Sequence, residues 1–298
     1  MKLLIIGKTG QLGSSLIIGA KSFGYDVISL DRHELDITTV NDNNEFRDLL
    51  EKNKPDYVIN TAADNNVIEN NSVPLYAFNT NCVGVKNMAE ICDKLNIPFI
   101  TFSTDYVFDG KKGSLYEETD IPSPVNIYGI SKLAGEYASL IYDNTTVIRT
   151  CGLYGLYSKS TKNGRGNFVD NRIADAKKDK QDNIEISYEQ IVSPTYTDDL
   201  SKAVIQLIDH PIKKYNLYHL VNEGYCSWYD FTKEIYEIMN IDCKVVPVDR
   251  KGFFGSVRKP LFSALRNMRA KELGITLPHW RDGLRRYLET KYSIELRN

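Results

Sequence analysis

Short aliphatic and β-branched runs alternate with stretches of helical period through the first half of the chain. Leu3 to Ile6 reads as a strand, a helix begins near Leu12, and Asp26 to Leu30 reads as the next strand. A helix over Asp42 to Lys52, a strand Tyr57 to Ile59, a helix over Tyr76 to Leu95 and a strand Phe99 to Ser103 continue the series. A helix from about Ile127 to Ile141 then feeds a strand at Thr146 to Arg149. Runs this short and apolar suit strands buried on both faces. Their alternation with helices predicts an α/β fold, a doubly wound parallel sheet of the Rossmann type.

Beyond Arg149 the pattern changes. Gly152 to Gly166 reads as a long loop, and the later elements are mixed. They are helices over Phe168 to Lys177, Thr197 to Ile208, Trp228 to Met239 and Trp280 to Lys291, with a strand near Ile184 to Ile186. The expected division is a dinucleotide-binding domain over 1–150 and a smaller mixed α/β substrate lobe over 151–298, with some later segments returning to the first domain.

Composition narrows the function classes. A chain of 298 residues with 42% apolar and 26% charged residues and mean hydropathy −0.35 is that of an ordinary soluble globular protein. A formal net charge of −2 offers no broad basic surface, so nucleic acid is not an expected partner. The apolar run Leu3 to Ile6 is too short for a signal sequence or a membrane span, so a cytoplasmic protein without a membrane partner is expected. The five cysteines (Cys82, Cys92, Cys151, Cys226, Cys243) form no C-x-x-C pair and read as buried free thiols. His33, His210, His219 and His279 lack ligand spacing, so no catalytic metal is expected.

Gly7-Lys8-Thr9-Gly10-Gln11-Leu12-Gly13 lies between the first strand and the first helix. Glycines there allow a tight turn and let backbone N–H groups approach a pyrophosphate on the helix N-terminus. Asp31 ends the second strand, where an acid accepts hydrogen bonds from an adenosine ribose, which favours NADH. Arg32 beside it suits a 2′-phosphate, so NADPH and NADH both stay open. Asp36 and Ile37 read either as an adenine contact or as a helix cap with an apolar neighbour, and Ala62 and Ala63 as small residues that let the chain pass close to a cofactor.

Tyr128 and Lys132 stand four residues apart in Tyr128-Gly129-Ile130-Ser131-Lys132, on one face of the expected helix. An ammonium near a phenol favours the phenolate and so is expected to lower its pKa toward a useful range. Thr104, just past the fourth strand, is placed to polarise a carbonyl oxygen together with Tyr128.

Ser103-Thr104-Asp105-Tyr106-Val107-Phe108-Asp109-Gly110 and Tyr128 to Glu136 follow the glycine loop in an order and spacing that resembles the extended short-chain dehydrogenases/reductases. Within them the match is to the dTDP-4-dehydrorhamnose reductase family. It continues through Gly166-Asn167-Phe168-Val169, Ser193-Pro194-Thr195, Asp199-Leu200, Ser263-Ala264-Leu265 and Leu277-Pro278-His279-Trp280. The resemblance implies a catalytic set of Thr104, Tyr128 and Lys132 and hydride transfer from NADPH or NADH to C4 of a nucleotide-linked 4-keto-6-deoxy sugar. It implies cofactor contacts from Gly10, Gln11, Leu12, Asp31, Asp36, Ile37, Ala62 and Ala63, and Gly7, Gly13, Arg32, Tyr128 and Lys132 are expected beside them, Lys132 on a ribose hydroxyl. The expected substrate contacts are Thr104, Asp105, Asn167, Arg258 and Lys259. The substrate expected is dTDP-4-dehydro-L-rhamnose, for polysaccharide synthesis, and a homodimer is an expected assembly. A reductase or epimerase of another UDP- or GDP-linked keto sugar is the alternative. A non-catalytic nucleotide-binding subunit, similar to the regulatory subunit of methionine adenosyltransferase, is the other.

Three places depart from the family. Gly152 stands where a tryptophan flanks the sugar, Asp64-Asn65-Asn66 replaces an aromatic residue or histidine followed by threonine, and Lys259-Pro260 replaces Arg-Pro. Tyr154, Tyr157 and Tyr188 are candidates to stack on a base, with packing as the simpler role, and Trp228 and Trp280 read as anchors of helices to the core.

Overall fold

The computed structural model describes residues 1–40, 44–156, 166–178, 183–210 and 214–293. Six parallel strands form the central sheet: β1 (Lys2–Ile6), β2 (Asp26–Leu30), β3 (Tyr57–Asn60), β4 (Phe99–Thr104), β5 (Thr145–Thr150) and, far along the chain, Leu217–His219. The last of these pairs with β5, so the second half of the chain supplies the sheet edge. β2 lies on one side of β1 and β3 on the other, and the chain order therefore reverses at β1. In open α/β sheets that reversal opens a crevice at the carboxyl ends of the strands.

Alternation along β1 builds both layers of the core. Leu3 and Ile5 face a cluster with Leu12, Leu16, Leu200 and Val204, whereas Leu4 and Ile6 face Phe46, Leu50, Val85 and Met88. The first layer is carried by α1 (Gln11–Ser22), the second by α2 (Glu45–Asn53). All six residues of β4 and all six of β5 are buried, as the doubly covered sheet requires.

The helix expected over Tyr76 to Leu95 is more varied than its periodicity suggests. After α3 (Val67–Ser72), α4 (Pro74–Phe78) runs into a π-helical segment, Asn79–Gly84, and then into α5 (Val85–Lys94). Close packing requires glycine at Gly84, since a Cβ there would lie 2.5 Å from the carbonyl oxygen of Ile37. The helix that follows β4, α6 (Ile127–Ser139), starts at an Asn126 cap whose side chain accepts from the Gly129 amide at 2.9 Å.

After β5 come β6 (Leu153–Tyr154), α7 (Phe168–Lys178), β7 (Asn183–Ser187), β8 (Ile191–Val192), β9 (Thr195–Tyr196) and α8 (Thr197–Asp209). The sheet-edge strand is β10, after which come β11 (Cys226–Ser227), α9 (Trp228–Ile238), β12 (Lys244–Val248), β13 (Phe253–Phe254), β14 (Val257–Arg258), α10 (Met268–Glu272) and α11 (Trp280–Tyr292). Leu200, Val204 and Ile208 of α8, Tyr218 of β10 and Ala270 of α10 pack with α1 on the central sheet. The elements β6, α7, β9, β11, α9 and α11 share a separate core that includes Tyr154, Phe231, Ile235, Trp280, Leu284 and Tyr287. β7 and β12 pair in parallel over Asn183–Ser187 and Lys244–Val248, a pairing that links residues about sixty apart and has no local signature. All five cysteines are free. Among the described residues no helix is long and apolar enough to cross a membrane, and no cluster of His, Cys, Asp or Glu could hold a metal.

Candidate active site

Two adjoining cavities run along the carboxyl edge of the sheet. One of about 660 Å³ is lined by Gly7, Gly10, Arg32, Asp36, Ile37 and Tyr76, among others. The other, of about 390 Å³, is lined by Gly10 to Gly13, Thr104, Tyr128, Lys132, Thr150 and Gly152. Gly10, Thr61, Ala62, Ala63, Asn65 and Gly166 border both.

The glycine loop fits a dinucleotide. Gly7 has φ +94°, and a Cβ there would lie 2.4 Å from Thr61 Oγ1. A Cβ on Gly13 would meet the Gly7 carbonyl oxygen at 2.2 Å, so the strand, the turn and α1 close on one another without side chains. α1 begins after Gly10 with no side-chain cap, which leaves its first amides to meet an anion. Gln11 and Leu12 both line the second cavity, with Gln11 Nε2 also donating to the Leu153 carbonyl at 3.2 Å.

At the far end of the first cavity the two acids serve the turn. Asp31 accepts from the His33 amide at 2.9 Å, and that bond is the main reason its carboxyl lies below the usual range. Its other oxygen is 3.6 Å from Lys8, and it is Arg32 rather than Asp31 that lines the cavity. Asp36 accepts from both the amide (3.0 Å) and the hydroxyl (2.7 Å) of Thr38 and lies 3.4 Å from the Arg32 guanidinium. Ile37 is buried beside Leu35 as an apolar wall. Asp36 thus lies on the cavity wall and closes a turn with Thr38, and no helix begins there for it to cap.

The reacting groups gather on β4, α6 and the segment after β3. Lys132 is buried on α6 and donates from Nζ to the Phe102 carbonyl at 2.6 Å. Burial lowers its pKa to about 8. The expected lowering of the phenol does not appear: burial pushes Tyr128 up, with the Thr104 hydroxyl opposing that rise. The reason is geometric, because the ammonium is engaged by a backbone carbonyl while the Tyr128 hydroxyl donates to Asn65 Oδ1 at 3.3 Å. Tyr128 therefore holds its proton as a donor.

Thr104 Oγ1 donates to Asp105 Oδ1 at 3.0 Å and accepts from the Tyr106 amide at 3.2 Å. Asp105 is buried, its pKa raised by that burial, and its second oxygen accepts from Ser263 at 2.5 Å. It orients Thr104 from behind. Ser103 Oγ and Thr150 Oγ1, on neighbouring strand ends at the same cavity, are buried and have no hydrogen-bond partner among the described residues.

Of the other expected substrate contacts, Asp105 and Asn167 border the second cavity, whereas Arg258 and Lys259 do not. Asn167 borders the cavity, but its carboxamide is already used: it donates to the Gly155 carbonyl (3.0 Å) and Tyr287 Oη (2.9 Å) and caps the Asp170 amide (3.1 Å). Arg258 is exposed on β14 and lines neither cavity; its carbonyl accepts from Asn126 at the cap of α6. Lys259 lines neither cavity and is half-buried, its pKa lowered by burial and opposed by the charge of Asp105. Tyr154 is fully buried against Tyr196, Phe231 and Tyr287 and cannot stack on a base, and Tyr157 lies outside the described residues.

Sequence reasoning missed the residues behind the front line. Asn81, on the π-helical turn, donates to Ser131 Oγ (3.0 Å) and to the Asp64 carbonyl (2.9 Å), tying the segment after β3 to the catalytic helix. Its sequence signal is weak, one asparagine beside Asn79 and Thr80 in a helix of mixed polarity. Asn65 lies in the departing segment, and Ser263 in a motif of the resemblance whose partner is 158 residues away.

The family profile described as the RmlD substrate binding domain matches residues 1–293. The spore coat polysaccharide biosynthesis protein SpsK of Bacillus subtilis is 34% identical over 98% of both chains. A dTDP-4-dehydrorhamnose reductase of Aggregatibacter actinomycetemcomitans is 36% identical over 79% of this chain and 78% of that one. The crystal structure of the dTDP-4-dehydrorhamnose reductase of Bacillus anthracis in complex with NADP superposes with a TM-score of 0.88 at 31% identity, covering 97% of this chain and 99% of that one. A Rossmann sheet with its glycine loop, a threonine, tyrosine and lysine on one cleft and a match over nearly the whole length place this chain in the RmlD family of extended short-chain dehydrogenases/reductases.

Proposed function

We propose that the protein is an NAD(P)H-dependent reductase of the C4 ketone of a nucleotide-linked 4-keto-6-deoxy sugar, with dTDP-4-dehydro-L-rhamnose as substrate and dTDP-L-rhamnose as product. The observation that carries this reading is the convergence of Thr104, Tyr128 and Lys132 on a cavity continuous with the glycine-loop cavity.

A bound nicotinamide supplies the hydride for the ketone carbon. The Tyr128 phenol gives its proton to the carbonyl oxygen as negative charge develops there. Thr104 Oγ1 turns from Asp105 to donate a second hydrogen bond to that oxygen. Lys132 fixes α6 against β4 and places a positive charge beneath the developing alkoxide. The amides of the first turn of α1 hold the pyrophosphate, and Ile37 and Arg32 bound the adenosine end. Binding of the remote nucleotide positions the sugar for transfer. Leu75 on α4, Tyr137 on α6 and Ile141 just past it are exposed, and α4 packs on α6, which favours a homodimer through these helices.

The test is turnover of purified protein with NADPH and NADH against dTDP-, UDP- and GDP-linked 4-keto sugars. Oxidation of the nicotinamide with the dTDP sugar is expected. Turnover of a UDP or GDP sugar in its absence would overturn the substrate.

A further inference from the structure

Asn65 stands in the segment that departs from the family pattern, and it borders both cavities. Its Oδ1 accepts from the Tyr128 hydroxyl at 3.3 Å, so it touches the atom that gives up the proton. Its Nδ2 has no hydrogen-bond partner among the described residues.

The backbone that carries Asn65 is fixed on both sides. Asn81 holds the preceding residue by two bonds, accepting from the Asp64 amide at 2.8 Å and donating to the Asp64 carbonyl at 2.9 Å. The same Asn81 Nδ2 reaches Ser131 Oγ at 3.0 Å, one residue before Lys132 on α6. Asn66, the next residue, caps α3 by accepting from the Glu69 amide at 3.3 Å. The main chain is therefore tied to the catalytic helix, while the carboxamide is left to turn about its last bond, a soft torsion.

Reduction makes a phenolate of the phenol. Hydride from the nicotinamide goes to the ketone carbon, the Tyr128 proton goes to the ketone oxygen, and negative charge is left on Tyr128 Oη. The surroundings resist that charge: burial raises the pKa of the phenol most, and the nearby Asp105, Asp64 and Cys151 add to the rise against the Thr104 hydroxyl. The Tyr106 ring stands edge-on at 5.6 Å, and the Lys132 ammonium is drawn to the Phe102 carbonyl. A carboxamide suits both states of the tyrosine, because it accepts through Oδ1 and donates through Nδ2. A carboxylate in its place only accepts, and an alkyl group does neither.

We infer that Asn65 is a positioning residue for the Tyr128 proton: Oδ1 holds the phenol until a ketone oxygen takes its place as acceptor, and Nδ2 then turns to donate to the phenolate. This rests on the ketone reductase reading above.

The test is single-turnover oxidation of NADPH by the dTDP-4-keto sugar, both saturating, in wild type, Asn65→Leu, Asn65→Asp and Asn65→Thr. Asn65→Leu is expected to slow transfer about 10- to 100-fold through loss of the donor to the developing charge. Asn65→Thr, which keeps a donor and an acceptor, is expected to lose less. Asn65→Asp sets a carboxylate against the forming phenolate, and its rate relative to wild type is expected to rise as pH falls from about 8 to about 5, where the carboxyl takes up a proton and donates again. The midpoint of urea unfolding checks that each variant is folded. Equal rates in wild type and Asn65→Leu, or the same loss in Asn65→Asp at every pH, would overturn the role of Asn65 alone, since a merely structural asparagine brings no new pH dependence. Absence of transfer in the wild type would instead overturn the reductase reading, and this inference with it.

Discussion

The Lys132 ammonium is joined to the Phe102 backbone carbonyl by a 2.6 Å hydrogen bond. It ties the catalytic helix to the strand that delivers Thr104, and it separates two jobs that spacing alone assigns to one interaction. The lysine holds position and charge, while the Tyr128 proton is directed to Asn65.

That separation sets the alkaline side of the pH profile. With its pKa lowered to about 8 by burial, Lys132 loses its proton before Tyr128, whose own pKa burial raises. A plot of kcat/KM for reduction, which reports the free enzyme, is expected to fall above a pH near 8. Lys132→Met is expected to lose that limb and about 10²-fold or more in rate. An unchanged limb in that variant would assign it elsewhere. In stability the sign is the reverse of a salt bridge: the folded pKa lies below the free value of about 10.4. The folded state therefore gains stability from this group as pH rises from about 8 toward that value, and loses it as pH falls back through 8.

Arg32 separates the two cofactors. It lines the adenosine end of the cleft, 3.4 Å from Asp36 and with its guanidinium 5.6 Å from the centre of the Tyr76 ring, whereas Asp31 is turned into the loop. Arg32→Ala is expected to raise KM for NADPH about tenfold through a lost charged contact to the 2′-phosphate, with little change for NADH. Initial rates with each cofactor check this, and equal effects on both would exclude the contact.

Glu136 and Arg149 form a buried two-bond pair between α6 and β5, at 2.9 and 2.6 Å. Glu136→Ala leaves the guanidinium buried without its partner and is expected to cost about 3–5 kcal/mol in urea unfolding. A loss below 1 kcal/mol would mean that water or a rearranged side chain replaces the carboxylate.

Much of this was legible along the chain, for reasons that are local. Strand β1 is an apolar run because the sheet is covered on both faces, and the Gly7 to Gly13 loop and the Tyr128–Lys132 pair are spaced by the turn and the helix that carry them. What local pattern cannot carry is partnership across the fold. Asp105 with Ser263, Glu136 with Arg149, and Gly152 with Trp228 meet only when distant elements pack. The raised pKa of the Tyr128 phenol has the same root, since its burial and the hydrogen bond of Lys132 to the Phe102 carbonyl both follow from how α6 lies on β4. Asn167 and Arg258 show the converse: one is spent on capping and packing and the other faces outward on a hairpin, which residue type does not reveal.

The most direct test is single-turnover oxidation of NADPH by dTDP-4-dehydro-L-rhamnose in wild type and Tyr128→Phe, each saturated with both ligands. Loss of the phenolic proton donor is expected to slow hydride transfer by about 10²- to 10⁴-fold while the affinities for NADPH and the dTDP sugar hold. An unchanged transfer rate in Tyr128→Phe, or no NADPH oxidation by the wild-type protein, would contradict the reaction centre assigned to Thr104, Tyr128 and Lys132.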